Sequence, residues 1–565
     1  MKNSSKWFNI SEDSRSWEDF YRKRWNYDYS VRSGHGVNCS MACSWEVFVK
    51  DGLICWELQK TDYPQIDADI PNVEPRGCQR GVTASWYPYS PLRPKFPYVR
   101  KVLWDFYAAE LKSGKDPVDA YASVVEDEEK SKKYKEARGK AGWKRVSWDQ
   151  STELVAAAQI YTIKKYGADH MANFSPIPAM SLLSFISGHR YNNLLGGIYC
   201  SYYEWYHDLP HVSSSMFGDQ TENCESSDWY HGTYWVVAGS NINMTRTADA
   251  HFISEAKYRG SKIVVLSPNY SDVTKYADTW VPLVPGSDGA FLMACIHVIL
   301  KEFYADKDTP YFTEYSKQYT NQPFLVVLDK DGDKYQQGRF LRASDVAEYA
   351  GEENADWKLI MTDGAGKLHL PTGSVGFRWE KEPTGNWNLQ LKNAVTKEDF
   401  DPLLTLLGND DQKAMVSFSD FTDTFSINIG QTEGKGQKAV EVLREVPAKK
   451  ITTSDGEELI VTTAFDLLMA QAGVSRGLGG DYPVDYDDPK PYTPAWQEKQ
   501  TGVSRDLAIQ VGREFADNAE KTKGKSLFIT GPGIQHFYHG ASMYYRSQAV
   551  MLALCGCNGV NGGNF

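Results

Sequence analysis

Cysteine is scarce in this chain: nine residues in 565, an odd and low number. That excludes a secreted disulfide scaffold and points to a reducing compartment. No run of 18 apolar residues occurs, so nothing in the sequence reads as a membrane-spanning helix. The opening stretch Met1–Phe8 lacks the apolar core of a secretory leader, and Arg22-Lys23-Arg24 is followed by Trp25 and polar residues rather than by a twin-arginine signal. Internal repeats at solenoid periods, low-complexity tracts and a G-x-G-x-x-G fingerprint are all missing, which leaves nicotinamide dinucleotide binding poorly supported. The net charge of −12 is spread along the chain. It argues for solubility and against nucleic acid as a partner.

What is there is a long chain of ordinary globular composition, 41% hydrophobic and 24% charged, rich in aromatics at 13%. The length suits several domains. Residues 1–100 read as a compact strand-rich cap, in which Trp45–Lys50 and Leu53–Trp56 flank Asp51-Gly52, a strong hairpin signal. Residues 101–147 are charged and read as solvated helices or a surface excursion. From 148 to 324 strand and helix alternate; Tyr234–Ala238 and Ile263–Leu266 are continuous apolar runs of the kind that form buried parallel strands. An insertion with hairpins follows at 325–462. The α/β pattern resumes at 463–565, with Ser526–Thr530 as a further buried strand. The expected class is therefore α/β. The glycine-rich run of Gly556, Gly559, Gly562 and Gly563 ends within what reads as a binding turn, so the chain is expected to be a fragment.

Two groups of residues carry chemistry. His35, Cys39, Cys43 and Cys78 stand at H-x3-C-x3-C-x34-C spacing. Such a set suits an iron–sulfur cluster, a closed zinc site, or plain packing of small apolar thiols, and the x3 gaps tilt it toward a cluster. The second group is the set of polar turns after apolar strands: Gly239-Ser240-Asn241, Ser267-Pro268-Asn269, Pro285-Gly286-Ser287-Asp288 and Gly531-Pro532-Gly533. Ligands of open α/β sheets bind at such strand ends, so the four together point to a nucleotide-like ligand, although each singly is an ordinary turn. Asp208, in the aromatic run Tyr202–Pro210, reads on its own as a cap or loop acid. His536 follows the Gly531-Pro532-Gly533 turn and gains interest from that position.

Longer blocks bring in a resemblance. His35-Gly36-Val37-Asn38-Cys39, Glu74-Pro75-Arg76-Gly77-Cys78, Asn173–Met180, Trp205-Tyr206-His207-Asp208-Leu209-Pro210, Arg246–His251, Gly373–Trp379, Tyr492–Trp496, Thr501–Arg505 and Arg513–Ala519 all resemble the catalytic alpha subunit of respiratory nitrate reductase. They follow one another in that family's order over essentially the whole chain. The family belongs to the molybdopterin oxidoreductases, so the resemblance implies a multidomain fold with an N-terminal strand-rich iron–sulfur domain and Rossmann-like parallel-sheet domains. It implies molybdenum on two molybdopterin guanine dinucleotides, and a [4Fe–4S] cluster on His35, Cys39, Cys43 and Cys78. Asp208 becomes the protein ligand to molybdenum, and Arg80 lies between cluster and pterin. Asn38 and His536 face the substrate, while Gly239, Ser240, Asn241, Ser267, Asn269, Asp288 and Gly533 bind the dinucleotide tails.

The implied activity is quinol-linked reduction of nitrate to nitrite by oxygen-atom transfer. Electrons would come from an iron–sulfur beta subunit and a membrane haem gamma subunit, with the chain held at the cytoplasmic face of the membrane. Nitrite oxidation by the same site, and a cluster-bearing fragment without molybdenum, are the competing expectations. The family subunit continues well past Phe565, so the chain is expected to be an N-terminal portion or a split gene product.

Overall fold

A computed structural model describes residues 26–34, 43–60, 62, 67–71, 81–140, 142–174, 182–200, 211–218, 224–373, 390–421, 440–531 and 541–564. The chain divides into two compact units, one of residues 1–66, 72–208 and 245–248, the other of residues 67–71, 209–244 and 249–565.

The first unit holds a three-stranded antiparallel sheet of β1 (Tyr29–Ser33), β2 (Trp45–Lys50) and β3 (Leu53–Gln59). The turn between β2 and β3 falls on Asp51-Gly52, both in the left-handed region at φ 52° and 74°, as the sequence predicts. Those angles match the right-handed twist of the flanking strands, which is why Asp-Gly is selected there. Trp45, Val47 and Val49 alternate onto one buried face, against Cys43 and Ile54.

The charged stretch folds as α1 (Lys101–Lys112), α2 (Pro117–Val125) and α3 (Glu128–Glu136), preceded by β4 (Tyr98–Arg100), which pairs with β5 (Trp143–Arg145). Asp116 caps α2 by accepting from Val118 N and Asp119 N. Ser147 and Gln150 form a reciprocal capping box at α4 (Trp148–Tyr166). Leu103, Tyr107, Ala120, Val124 and Leu154 give these helices a core of their own, so the stretch is more than a solvated excursion. A parallel pair, β6 (Ala172–Phe174) and β7 (Ile198–Cys200), flanks α5 (Leu182–Leu195).

The second unit is built on a four-stranded parallel sheet. β8 (Tyr234–Ala238), β9 (Lys262–Leu266) and β10 (Thr279–Val281) are joined by a strand from the far end of the chain, so that the sheet order is β10-β9-β8 and then Ser526–Thr530. Each strand alternates between two covered faces. Tyr234, Val236, Val264 and Phe528 pack under Asp288–Leu300, Arg505–Thr522 and Ala541–Leu554. Trp235, Val237, Ile263, Val265 and Leu527 pack against Ile253, Ala256 and Val273. Burial on both faces explains why the runs are apolar without a polar alternation.

The expected insertion is a closed barrel. Its strands are β11 (Leu325–Asp331), β12 (Lys334–Phe340), β13 (Gln412–Phe421), β14 (Val440–Thr452) and β15 (Glu458–Thr463). β11 with β12 and β14 with β15 are short-range hairpins. Closure depends on a parallel contact of β12 with β13 and an antiparallel one of β11 with β15. Val326, Leu328, Ala414, Val416, Val446 and Ala448 fill its interior. α6 (Ala464–Gln471) follows, then α7 (Arg505–Thr522), β16 (Ser526–Thr530) and α8 (Ala541–Leu554). Among the described residues no helix is long and apolar enough to cross a membrane.

Candidate functional site

In sheet order the strands run third, second, first, fourth. The chain direction of the connections therefore reverses between β8 and β16, and a reversal of this kind opens a crevice beyond the carboxyl ends of the two strands. β8 leaves through Gly239, at φ 63°. β16 leaves through Gly531, whose N–H donates to Ala238 O at 3.0 Å. A Cβ on Gly531 would collide with the Gly239 carbonyl oxygen and lie 2.8 Å from Ser240 Cα. Glycine at 531 is thus what lets the two backbones meet at the crevice.

The neighbouring loops are preset by their own side chains. Asn241 Oδ1 accepts from Val273 N at 3.0 Å, which ties the loop after β8 to the turn over Asp272–Tyr276. Ser267 Oγ donates to Asn269 O at 2.8 Å and lies 3.1 Å from Asn269 Oδ1. Trp280 Nε1 donates to Ser267 O at 3.0 Å. These bonds hold the strand ends rigid, a condition for tight ligand binding.

Asp288 differs from them. It opens the 13-residue helix Asp288–Leu300, is 2% exposed, and its Oδ1 has no hydrogen-bond partner. Burial pushes its carboxyl up to about 6, because the charged form is the one that loses water. The same helix turn packs on α8: a Cβ on Gly289 would lie 3.5 Å from Tyr544 N. Tyr544 in turn donates its hydroxyl to Ala238 O, at the end of β8, at 3.1 Å. Tyr544 thereby connects the first turn of the Asp288 helix to the end of β8.

Nearby, Thr530 Oγ1 donates to Gln548 Oε1 at 2.6 Å, and Gln548 is fully buried with its Nε2 unpartnered. Tyr544, Gln548 and Thr530 were not among the residues picked out by sequence. Their one signal is a polar Gln within the otherwise apolar end of Ala541–Leu554.

Of the predicted site residues, the structure brings Gly239, Ser240, Asn241, Ser267, Asn269 and Asp288 to the carboxyl edge of one sheet. Cys43 is a half-buried thiol just before β2, packed against the buried face of Trp45, Val47 and Val49. His35, Asn38, Cys39, Cys78, Arg80, Asp208, Gly533 and His536 lie outside the described residues. Among the described residues no three His, Cys, Asp or Glu side chains converge on a common point.

With this geometry in place, similarity to known proteins becomes informative. The family model of molybdopterin oxidoreductases matches residues 93–565, and that of the respiratory nitrate reductase alpha N-terminal segment matches residues 1–25. The chain is 45% identical over 554 residues to the respiratory nitrate reductase 1 alpha chain of Escherichia coli (strain K12), covering 98% of this chain and 44% of that protein. It is 44% identical over 563 residues to the nitrate reductase alpha chain of Bacillus subtilis (strain 168), covering 100% of this chain and 44% of that one. A nitrate reductase alpha subunit of Mycobacterium tuberculosis (strain ATCC 25618 / H37Rv) is 45% identical over 554 residues, covering 98% of this chain and 43% of its own. The chain thus spans less than half the length of the curated relatives it matches.

Proposed function

The chain belongs to the molybdopterin oxidoreductases, and on that premise we propose that it is the cofactor-holding part of a nitrate reductase catalytic subunit. One observation carries the reading beyond family membership. At the switch point of the parallel sheet two strand ends meet through glycine, and at the carboxyl edge of the same sheet the buried Asp288 carboxyl leaves one oxygen without a hydrogen-bond partner. A crevice with fixed backbone and an unanswered acceptor fits the tail of a pterin–guanine dinucleotide. Gly239, Ser240, Asn241, Ser267, Asn269, Asp288 and Gly533 would hold two such tails, with backbone N–H groups toward phosphate and Asp288 toward ring N–H groups.

When bound, the molybdenum–pterin group supplies two-electron oxygen-atom exchange and the [4Fe–4S] cluster supplies one-electron relay. Asp208 would give molybdenum a hard oxygen ligand, and Cys39, Cys43, Cys78 and His35 would hold the cluster. The half-buried Cys43 sulfur has the donor chemistry this requires. Arg80 would lie between cluster and pterin. Asn38 and His536 would orient the nitrate oxygens by hydrogen bonds and hold the departing nitrite's charge. An iron–sulfur beta subunit and a membrane haem gamma subunit would deliver quinol electrons, at the cytoplasmic face of the membrane.

The test is a pair of assays on the metal-loaded protein: nitrate reduction driven by a reduced viologen dye, and dye reduction driven by nitrite. The proposal predicts nitrite production in the first, matched to dye oxidised. A faster second reaction would assign the chain to nitrite oxidation instead, and inactivity of molybdenum-loaded protein in both would overturn the reading.

A further inference from the structure

An arginine is a costly residue to bury, and the barrel buries one completely. Arg444, on β14, is 0% exposed, and a guanidinium leaves water only where its donors are answered. Its Nη1 donates to Ala470 O at 2.5 Å and to Gln471 O at 3.0 Å, and its Nε donates to Asp481 O at 3.1 Å. Burial pulls Arg444 down to about 10, which leaves it charged at neutral pH. Ala470 and Gln471 end α6, so the cation sits on the negative end of that helix, where the last carbonyls lack intrahelical partners. The other end carries the opposite charge. Asp466, in the first turn and 0% exposed, accepts from Thr405 Oγ1, Leu406 N and Thr463 Oγ1 and pairs with Arg476 at 2.8 Å.

Short as it is, α6 serves two cores. Phe465, Met469 and Ala472, spaced as one helix face, join the core that covers the parallel sheet. Leu467 and Ala470 join the barrel core with Val326, Val446 and Ala448. The helix Asp288–Leu300 reaches α6 directly, because His297 Nδ1 donates to Ala472 O at 2.7 Å. The turn Lys301–Ala305 continues that helix, and its Tyr304 ring lies 5.3 Å from the Phe465 ring. The end of α6 is thus capped from two sides, by a cation of the barrel and by the helix that begins with Asp288. Between Asp288 and His297 runs about 14 Å of stiff helix, buried along most of its length.

We propose that the barrel positions the Asp288 crevice through α6, with Arg444 and His297 as the positioning residues. This rests on Asp288 being a ligand-facing group, as proposed above. A buried cap on its own is ordinary fold stabilisation. Here both caps converge on the carbonyls of Ala470, Gln471 and Ala472, and one of them lies on the same rigid helix as the unpartnered carboxyl. A rod held near its far end cannot tilt without re-aiming Asp288. Coupling of this kind is reciprocal: a ligand that fixes Asp288 tightens the barrel, and an ordered barrel tightens ligand binding by the same factor. Arg444 and His297 act through the helix rather than on the ligand.

The experiment is amide hydrogen exchange of β13 and β14 in the cofactor-loaded and the cofactor-free protein, with the rate at which guanine nucleotide leaves the loaded protein. In the wild type, where no variant is needed, loading is expected to slow exchange in these strands at least about fivefold more than in α1 and α2. His297→Leu loses the donor to Ala472 O; it is expected to bring that ratio to about one and to release nucleotide about fivefold faster. His297→Gln keeps a donor there and is expected to restore both to wild-type values, which a role in core packing alone would not predict. Equal slowing in both regions of the wild type overturns the proposal, as does His297→Leu behaving like His297→Gln. If Asp288→Asn releases nucleotide faster while either of those results holds, the coupling alone falls. If Asp288→Asn retains nucleotide like the wild type, the ligand reading of Asp288 falls and takes the coupling with it.

Discussion

Asp288 and His297 lie on one helix, both almost fully buried, and burial moves them in opposite directions. The Asp288 carboxyl is pushed up to about 6 and the His297 imidazole down to about 4, each toward its neutral form. His297 is explained within the fold, since its Nδ1 lies 2.7 Å from Ala472 O and donates to it. Asp288 is not, and its unpartnered oxygen is the reason to read it as a ligand-facing group.

The signs differ too. In the window between the ordinary carboxylate value and about 6, native Asp288 keeps a proton that the unfolded chain has lost, so it costs stability as pH rises through that window. Asp288→Asn is therefore expected to stabilise the cofactor-free protein at neutral pH by about 2–3 kcal/mol, while lowering the guanine nucleotide and molybdenum retained by the loaded protein. Denaturant melts at two pH values and nucleotide release by acid measure the two effects. Equal retention by the variant would remove Asp288 from the site. For His297 the unfolded state binds the extra proton, so stability is expected to fall by roughly 3 kcal/mol as pH drops from its ordinary value toward 4. His297→Gln should flatten that slope in the same melts.

Elements explain which parts of this could be read before the structure. The hairpin at Asp51-Gly52 and the strands Tyr234–Ala238, Lys262–Leu266 and Ser526–Thr530 are written locally, in turn chemistry and unbroken apolar runs. Asp288 was found because it closes a Pro-Gly-Ser turn after a strand. The partnership of β8 with β16 is not local: Tyr234 pairs in register with Ser526, 292 positions further along the chain, and no shared pattern announces it.

The barrel was hidden for the same reason, because the parallel contact of β12 with β13 has no signature in either strand. Tyr544 and Gln548 were missed because Ala541–Leu554 reads as a core helix. The junction these elements make is fragile at one point. Gly531→Ala would set a Cβ against the Gly239 carbonyl and the Ser240 Cα, with backbone on both sides and no side chain able to yield. A loss of several kcal/mol is expected, seen as a lower Tm and loss of bound nucleotide. Wild-type melting would contradict the close approach.

Across the whole molecule, two units supply different parts of the proposed chemistry. The second provides the rigid parallel sheet and its switch-point crevice, and a closed barrel interrupts the chain between β10 and β16 without disturbing the sheet. The first provides the hairpin beside Cys43. The family membership of the chain unites them in one prediction, that a single polypeptide carries both a molybdenum–pterin group and an iron–sulfur cluster. Elemental analysis of protein made in a host that supplies both groups tests it most directly. The account predicts about one molybdenum and about four iron atoms per chain, without zinc. Iron in that amount with no molybdenum, or zinc in place of iron, would contradict it.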